Sequence, residues 1–363
     1  MKLKQLVVGF WLSVVVCFSA TALHAQTEDF PLVNIGGIML GVHGSDTQTR
    51  GMADAVLPLW HNEDALVFLN PRVSFNDDHE EEFNIGLAVR KLVADGQLIV
   101  GVNGFYDSRS STHNNRFEQV GGGIELLSSW VDVRANFYYP DDEQKVISSR
   151  ETTEVSSTRR ASTGAPYVSG TAILQDRTTV TRTTTTARLF EEFEAALEGF
   201  DAEIGVRVPV FEEHVTTRVF VGYQDFDNPF GDDKEGVKGR IEIQLGDGFL
   251  VDAEVFENED LNHTEFFVGV RVRVPFSIAN LIAGKNPFEG TRDAFRPRPS
   301  VLSSRLGEMV IRDMNIRLGG STEMENVGST SSSTRETSRT ETDVIGVVPP
   351  PPPPPPIFDE EAQ

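Results

Sequence analysis

The stretch His263-Thr-Glu-Phe-Phe-Val-Gly-Val-Arg-Val-Arg-Val-Pro-Phe276 decides the fold. In an extended chain successive side chains point to opposite faces. Phe266, Val268, Val270, Val272, Val274 and Phe276 therefore make one side that is apolar throughout, while Glu265, Phe267, Gly269, Arg271 and Arg273 share the other. An apolar outside, a charged and glycine-containing inside and a terminal Phe suit the closing strand of an outer-membrane barrel, where lipid wets one face and water the other.

The same alternation recurs upstream. Candidate strands lie at 34–43, 52–60, 64–75, 82–92, 97–108, 116–127, 130–140, 200–210, 214–226, 235–245, 249–258 and 263–276. In one of them Val131, Val133, Ala135, Phe137 and Tyr139 alternate with Asp132, Arg134, Asn136 and Tyr138. In another Phe83, Ile85, Leu87 and Val89 alternate with Asn84, Gly86, Ala88 and Arg90. Pro58 and Pro71 fall inside the second and third strands, where each removes a ladder donor. A soluble sandwich would also alternate, so connection length has to decide. Connections after even-numbered strands are short (61–63, 93–96, 128–129, 211–213, 246–248), and those after odd-numbered strands are longer or more polar (44–51, 76–81, 109–115, 141–199, 227–234, 259–262). Short periplasmic turns and long outer loops are the habit of outer-membrane barrels. The fold class expected is all-β: a transmembrane antiparallel β-barrel of about twelve strands with a disordered C-terminal tail.

The N-terminus fits this compartment. Lys2 and Lys4 precede an apolar run from Leu6 to Phe18, and small residues around Ala20, Ala22 and Ala25 offer cleavage positions, so residues 1–25 are expected to be a signal peptide cut after Ala25. The only cysteine, Cys17, lies within it. The mature chain would then have no disulfide, thiol catalysis or thiolate metal site. A formal charge of -23, from 32 Lys+Arg against 55 Asp+Glu, argues against nucleic acid as a partner, since phosphate neutralisation needs a basic face. No later run approaches the roughly 20 apolar residues of a spanning helix. A membrane position therefore requires a closed barrel, with outer-membrane lipid as its surroundings.

Two segments break the strand pattern. Residues 141–199 are rich in Ser, Thr and Arg, with Thr-rich arms around Gly164-Ala-Pro166, and read either as a long protruding hairpin or as a disordered loop. After Phe276 the chain is mixed to 320, with strand-like alternation over 305–317. It then becomes Ser/Thr/Glu/Arg low complexity and ends in a polyproline run, Pro349–Pro356. The expected organisation is a signal peptide (1–25), a barrel (26–276), a linker or pore plug (277–320) and a low-complexity tail (321–363).

Charges on the inward face are the candidate site residues: Arg90, Asp107, Glu125, Arg134, Arg207, Arg218, Arg240, Glu242, Arg271 and Arg273, accompanied by Asp132, Glu203, Lys238, Asp252 and Glu254. Opposite signs on neighbouring strands of a watery lumen either pair and set ionic preference or, the reading favoured, only hydrate and brace the wall. The histidines are scattered singly, so no metal or other cofactor is expected. The acidic run Asp77-Asp-His-Glu-Glu-Glu82 reads as a solvated turn. His113 lies near Ser111 with no oxyanion motif, and no enzyme activity is expected.

At Val100-Gly-Val-Asn-Gly-Phe-Tyr-Asp-Ser-Arg109, Phe117-Glu-Gln-Val-Gly-Gly-Gly-Ile-Glu-Leu126, Val131-Asp-Val-Arg-Ala-Asn-Phe-Tyr-Tyr-Pro140 and Phe266–Phe276 the chain resembles the β-barrel domain of inverse autotransporters, the intimin and invasin family. The resemblance covers 34–276. It implies a twelve-stranded outer-membrane barrel, insertion by the barrel-assembly machinery, and a C-terminal linker that returns through the pore to display a passenger whose ligand the sequence does not reveal. Neither a peptidoglycan-binding module between Gln26 and Asn34 nor a run of immunoglobulin-like repeats after Phe276 is legible. A passive porin with a charged lumen is the alternative.

Overall fold

The computed structural model describes residues 36–353, apart from 46–47, 79, 142, 211–214, 259–262, 297–301, 314 and 322. The expected signal peptide and the end of the polyproline run lie outside the described residues. In chain order the strands are β1 (Gly37–Gly44), β2 (Thr49–His61), β3 (Ala65–Asn76), β4 (Glu81–Val93), β5 (Leu98–Ser110), β6 (Arg116–Ser128), β7 (Val131–Pro140), β8 (Lys145–Thr163), β9 (Tyr167–Ser169), β10 (Ala172–Ala196), β11 (Glu198–Val208), β12 (Thr216–Asp227), β13 (Gly236–Leu245), β14 (Phe249–Asn258), β15 (His263–Pro275), β16 (Leu318–Gly320) and β17 (Glu325–Val347). Two short helices, α1 (Ile278–Ile282) and α2 (Thr291–Ala294), follow β15. The chain divides into two units, Met1–Ile147 with Phe193–Thr322 and Ser148–Glu192 with Glu323–Gln363.

The first unit is a closed antiparallel barrel in which β1–β7 and β11–β15 each pair with their neighbours and β1 closes on β15. The closing register sets Gly37 opposite Pro275 and Val42 opposite Val270. Closure leaves no unpaired edge, which is why this sheet can sit in lipid. Alternation assigns the faces. Val42, Phe83, Ile124, Val133, Phe137, Ile204, Val221, Phe266, Val268 and Val270 are exposed on the outside, while Arg90, Asp107, Glu125, Asp132, Arg134 and Arg240 are buried within. Both proline-bearing strands are present. Pro58 lies at a register shift, and the ladder between β2 and β3 skips the positions opposite Pro71, which has no N–H to give. There the side-chain amide of Asn70 donates to the Ala55 carbonyl at 2.9 Å.

Connection lengths differ from expectation. The turns at 62–64, 94–97, 129–130 and 246–248 are short, but 209–215 is longer because β11 stops at Val208 and β12 starts only at Thr216. At the other end the strands run on through polar pairs such as Ser110 opposite Arg116. The connections 45–48, 77–80 and 111–115 are correspondingly short, and the expected connection 259–262 lies outside the described residues. Length separates the two ends chiefly at 141–197 and 228–235.

Past β15, Phe276 packs against Phe288 with the ring centroids 5.6 Å apart and the rings tilted by 53°. Asp247, in a short turn, donates its N–H to the Ala294 carbonyl at 2.9 Å, so α2 sits at the short-turn end of the barrel. A 3₁₀ turn, Leu302–Gly307, then enters the interior. Leu302, Leu306, Met309 and Val310 are buried there against Val56, Leu66, Phe68, Ile99, Phe105 and Leu127. Ile316 packs with Phe117 and Ala196. The segment finishes as β16, whose Leu318–Gly320 pair with Ala196–Glu194 at the loop end.

In the second unit β10 is the central strand. Its 172–191 portion pairs with β17, and β8 and β9 also pair with β10. The Ser/Thr-rich stretch 325–347 is thus held as a strand by a ladder to the Thr-rich arm of the insertion. Neither strand has an apolar face, and the cross-strand contacts are hydroxyl and ion pairs, such as Thr178 with Thr340 at 3.0 Å and Arg182 with Glu336 at 3.9 Å.

Candidate functional site in the barrel lumen

The wall of the interior is built from cross-strand charge pairs. Glu203 stands in register opposite Arg134, which donates to it at 2.9 Å, and Arg240 donates to it from the next strand but one at 2.6 Å. Arg240 also bonds Glu242. Arg271 meets Asp252 at 3.0 Å, and Lys238 meets Asp201 at 3.4 Å. The guanidinium of Arg240 lies 4.0 Å over the Phe220 ring. That ring occupies the space left where Gly205 carries no side chain. Long charged side chains anchored at both ends give the wall a fixed shape.

The crossing segment is fastened by two of its own arginines. Arg305 binds Asp132 through both terminal nitrogens at 2.7 Å, donates to the Ser128 carbonyl at 2.6 Å and pairs with Glu308 at 2.9 Å. Arg312 binds Asp107 through both terminal nitrogens at 2.7 and 2.6 Å, and its guanidinium lies 4.5 Å over the Phe105 ring. A Cβ at Gly121 would come within 2.8 Å of the Arg312 Nη2, so glycine there leaves room for the clasp. Bidentate Arg–carboxylate pairs fix orientation as well as supplying energy.

The wall in turn holds the main chain of the segment. Arg90, locked to Glu125 at 2.8 and 3.1 Å, donates to the carbonyls of Arg305, Leu306, Glu308 and Met309. Arg273 donates to Gly307 at 2.8 Å, Arg72 to Val310 at 3.1 Å, and Arg109 to Ile316. Going the other way, Glu82 accepts from the Ile316 N–H at 3.2 Å and the Tyr138 hydroxyl from that of Asp313 at 2.8 Å. A chain that crosses the interior without a neighbouring strand leaves its backbone groups to side chains or water, and these residues take up several of them.

Of the residues singled out from the sequence, Arg90, Asp107, Glu125, Arg134, Arg218, Arg240, Glu242, Arg271 and Arg273 are buried in the interior. Arg90, Asp107 and Arg273, and Asp132 among the accompanying charges, touch the crossing segment directly. Arg207 is half-buried at the short-turn end, its guanidinium 5.7 Å over Trp130. Of the closing strand, Phe266, Val268 and Val270 are exposed, Val272 and Val274 are half-buried, and Phe276 lies one residue past the strand. Sequence reading passed over Arg72, Arg109, Arg305 and Arg312. A signal exists for the last of these: in register Asp107 has the neutral amides Asn84 and Gln119 on either side, so its cation has to come from outside the sheet.

Beside the segment a cavity of about 110 Å³ remains, lined among others by His43, Arg240, Asp252, Arg271, Asp313 and Arg317. Near the loop end, Ser111 donates to Glu194 at 2.6 Å, and Nδ1 of His113 lies 3.3 Å from the same carboxylate. The serine hydroxyl is thus engaged by a carboxylate instead of an imidazole base, and the cluster ties the root of β10 to the 111–115 connection. Among the described residues no cluster of His, Cys, Asp or Glu could hold a metal ion.

The family model for the inverse autotransporter beta-domain matches residues 14–234, more than half of the chain. No curated protein matches the sequence. A solved structure reported in work on the in-meso crystallization of membrane proteins is similar at a TM-score of 0.51 and 13% identity, with 78% of this chain and 99% of that one covered. The beta domain of the Bordetella autotransporter BrkA is similar at a TM-score of 0.29 and 13% identity over 66% of this chain and 99% of that one. The translocator domain of the autotransporter NalP from Neisseria meningitidis is similar at 0.27 and 9% identity over 76% and 98%. The fold follows from the barrel itself and from its likeness to the first of these structures. With the matched family model, the closed barrel and its lipid-facing apolar surface, the chain belongs to the inverse autotransporter beta-domain family and is an outer-membrane β-barrel anchor.

Proposed function

We propose that the barrel holds its own C-terminal segment as a plug and passes it outward, so that residues beyond 320 are presented at the cell surface together with the 141–197 insertion. The observation that carries this reading is the order of the contacts. Arg305 meets Asp132 next to the short turn at 129–130, Arg312 meets Asp107 further along, and Leu318–Gly320 pair with Ala196–Glu194 at the loop end. Recognition is mainly of carbonyls, with two arginines as fixed points, which suits a segment that is threaded during assembly and then held. Insertion by the barrel-assembly machinery and an extracellular ligand for the displayed sheet belong to the same reading, and no step of it calls for catalysis. The passive-porin alternative is not favoured, because the family is one of translocating anchors.

Labelling of intact cells tests it. An epitope placed after Gln363 and a cysteine at Asp232, in the 228–235 connection, are expected to react with impermeant reagents, while a cysteine at Asp247, in a short turn, reacts only after lysis. Reaction at Asp232 with a silent epitope would leave the barrel in place and refute display of the tail.

A further inference from the structure

We propose that β17 is a self-association edge, at which a second copy of this chain adds its own β17 antiparallel across a two-fold axis through Thr340. β17 pairs with β10 along one edge, and among the described residues no strand pairs with the other. Every residue from Glu325 to Val347 except Gly346 is exposed, so the free edge and both faces are open to solvent. A long unpaired edge is a template for another chain, and proteins that must stay apart blunt such edges with Lys, Pro, bulges or short strands. β17 contains no Lys and no Pro, and its ladder runs from Leu174 opposite Val344 to Ala187 opposite Ser331 without a register shift.

The charges specify the partner. Alternate residues share a face, and on one face of β17 Arg335 and Arg339 are followed by Glu341 and Asp343. Arg339 and Glu341 already meet at 3.0 Å, which confirms that they share a side, and they remain 81% and 57% exposed. A strand whose positive half precedes its negative half complements itself when reversed. With Thr340 opposite the partner's Thr340, Arg339 of each copy stands opposite Glu341 of the other, and Arg335 lies diagonal to Asp343. Both are spacings at which cross-strand ion pairs form. The opposite face brings Ser338 to Thr342 and threonine to threonine, the hydroxyl contact already made by Thr184 with Thr334 at 3.4 Å. Two-sided polar strands have weakly fixed register, so this charge order does the choosing. The axis makes the contact isologous, and it closes as a dimer without growing into a fibre.

The test uses the full chain purified in detergent, with Cys17→Ser removing its single cysteine, and does not depend on where the tail lies in cells. Thr340→Cys sits on the axis, within disulfide reach of its counterpart, and is expected to give a cross-linked dimer under mild oxidation, while Ser333→Cys is not. Arg339→Glu should weaken the dimer at least about tenfold by placing like charges opposite each other, and adding Glu341→Arg should restore it. Equal cross-linking at both cysteine positions, a dimer indifferent to Arg339→Glu, or a monomer at every concentration would overturn the proposal.

Discussion

Asp107 stands between two neutral amides on the wall and is neutralised from the interior by Arg312. Both side chains are almost wholly buried, at 1% and 2% exposure, so removing one leaves the other charge without a counterion. Arg312→Gln is therefore expected to cost about 3–5 kcal/mol, and Arg312→Gln with Asp107→Asn to recover most of that loss. Urea unfolding in detergent measures both, and a double variant as unstable as the single one would show that the pair is not the fastening. How much of this was legible depended on the side of the contact. The wall carboxylate could be read from strand alternation, because a sheet dictates which side chains face inward. The arginines of the segment could not, because no periodicity tells which wall a single extended chain will touch.

At the scale of elements, β15 carries the membrane assignment. Val270 is 43% exposed on the outer face, whereas Gly269 faces inward, where a side chain would meet His43 and lie 2.8 Å from Asp252. Val270→Arg puts a charge into hydrocarbon at a cost of about 2–4 kcal/mol near the midplane, while Val270→Leu should leave stability unchanged. Unfolding from lipid vesicles reads the difference, and equal stability for the two would mean that β15 does not face lipid. Gly269→Arg cannot serve as a harmless inward control, since the space is already filled. The barrel strands were legible because lipid on one side and charged lumen on the other impose a period of two on every one of them. β17 was not: a Ser/Thr/Glu/Arg run without an apolar face has no period to read, and its ladder depends on the equally polar β10 lying alongside.

On the scale of the whole molecule, a net charge of -23 coexists with an interior in which acids and bases are paired locally. Composition argues against nucleic acid as a partner, yet it does not distinguish an open lumen from an occupied one, because a charged wall serves both. The proposal of an occupied lumen rests on the backbone of residues 305–310 and of Ile316, held by Arg90, Arg273, Arg72 and Arg109, with a cavity of about 110 Å³ beside it. The most direct measurement of the central claim is planar-bilayer conductance of the full chain against a chain lacking 277–363. With the segment in place the lumen should pass only a small ion current, and its removal should raise the single-channel conductance sharply. Equal conductance from the two proteins would contradict the account and leave an empty charged pore.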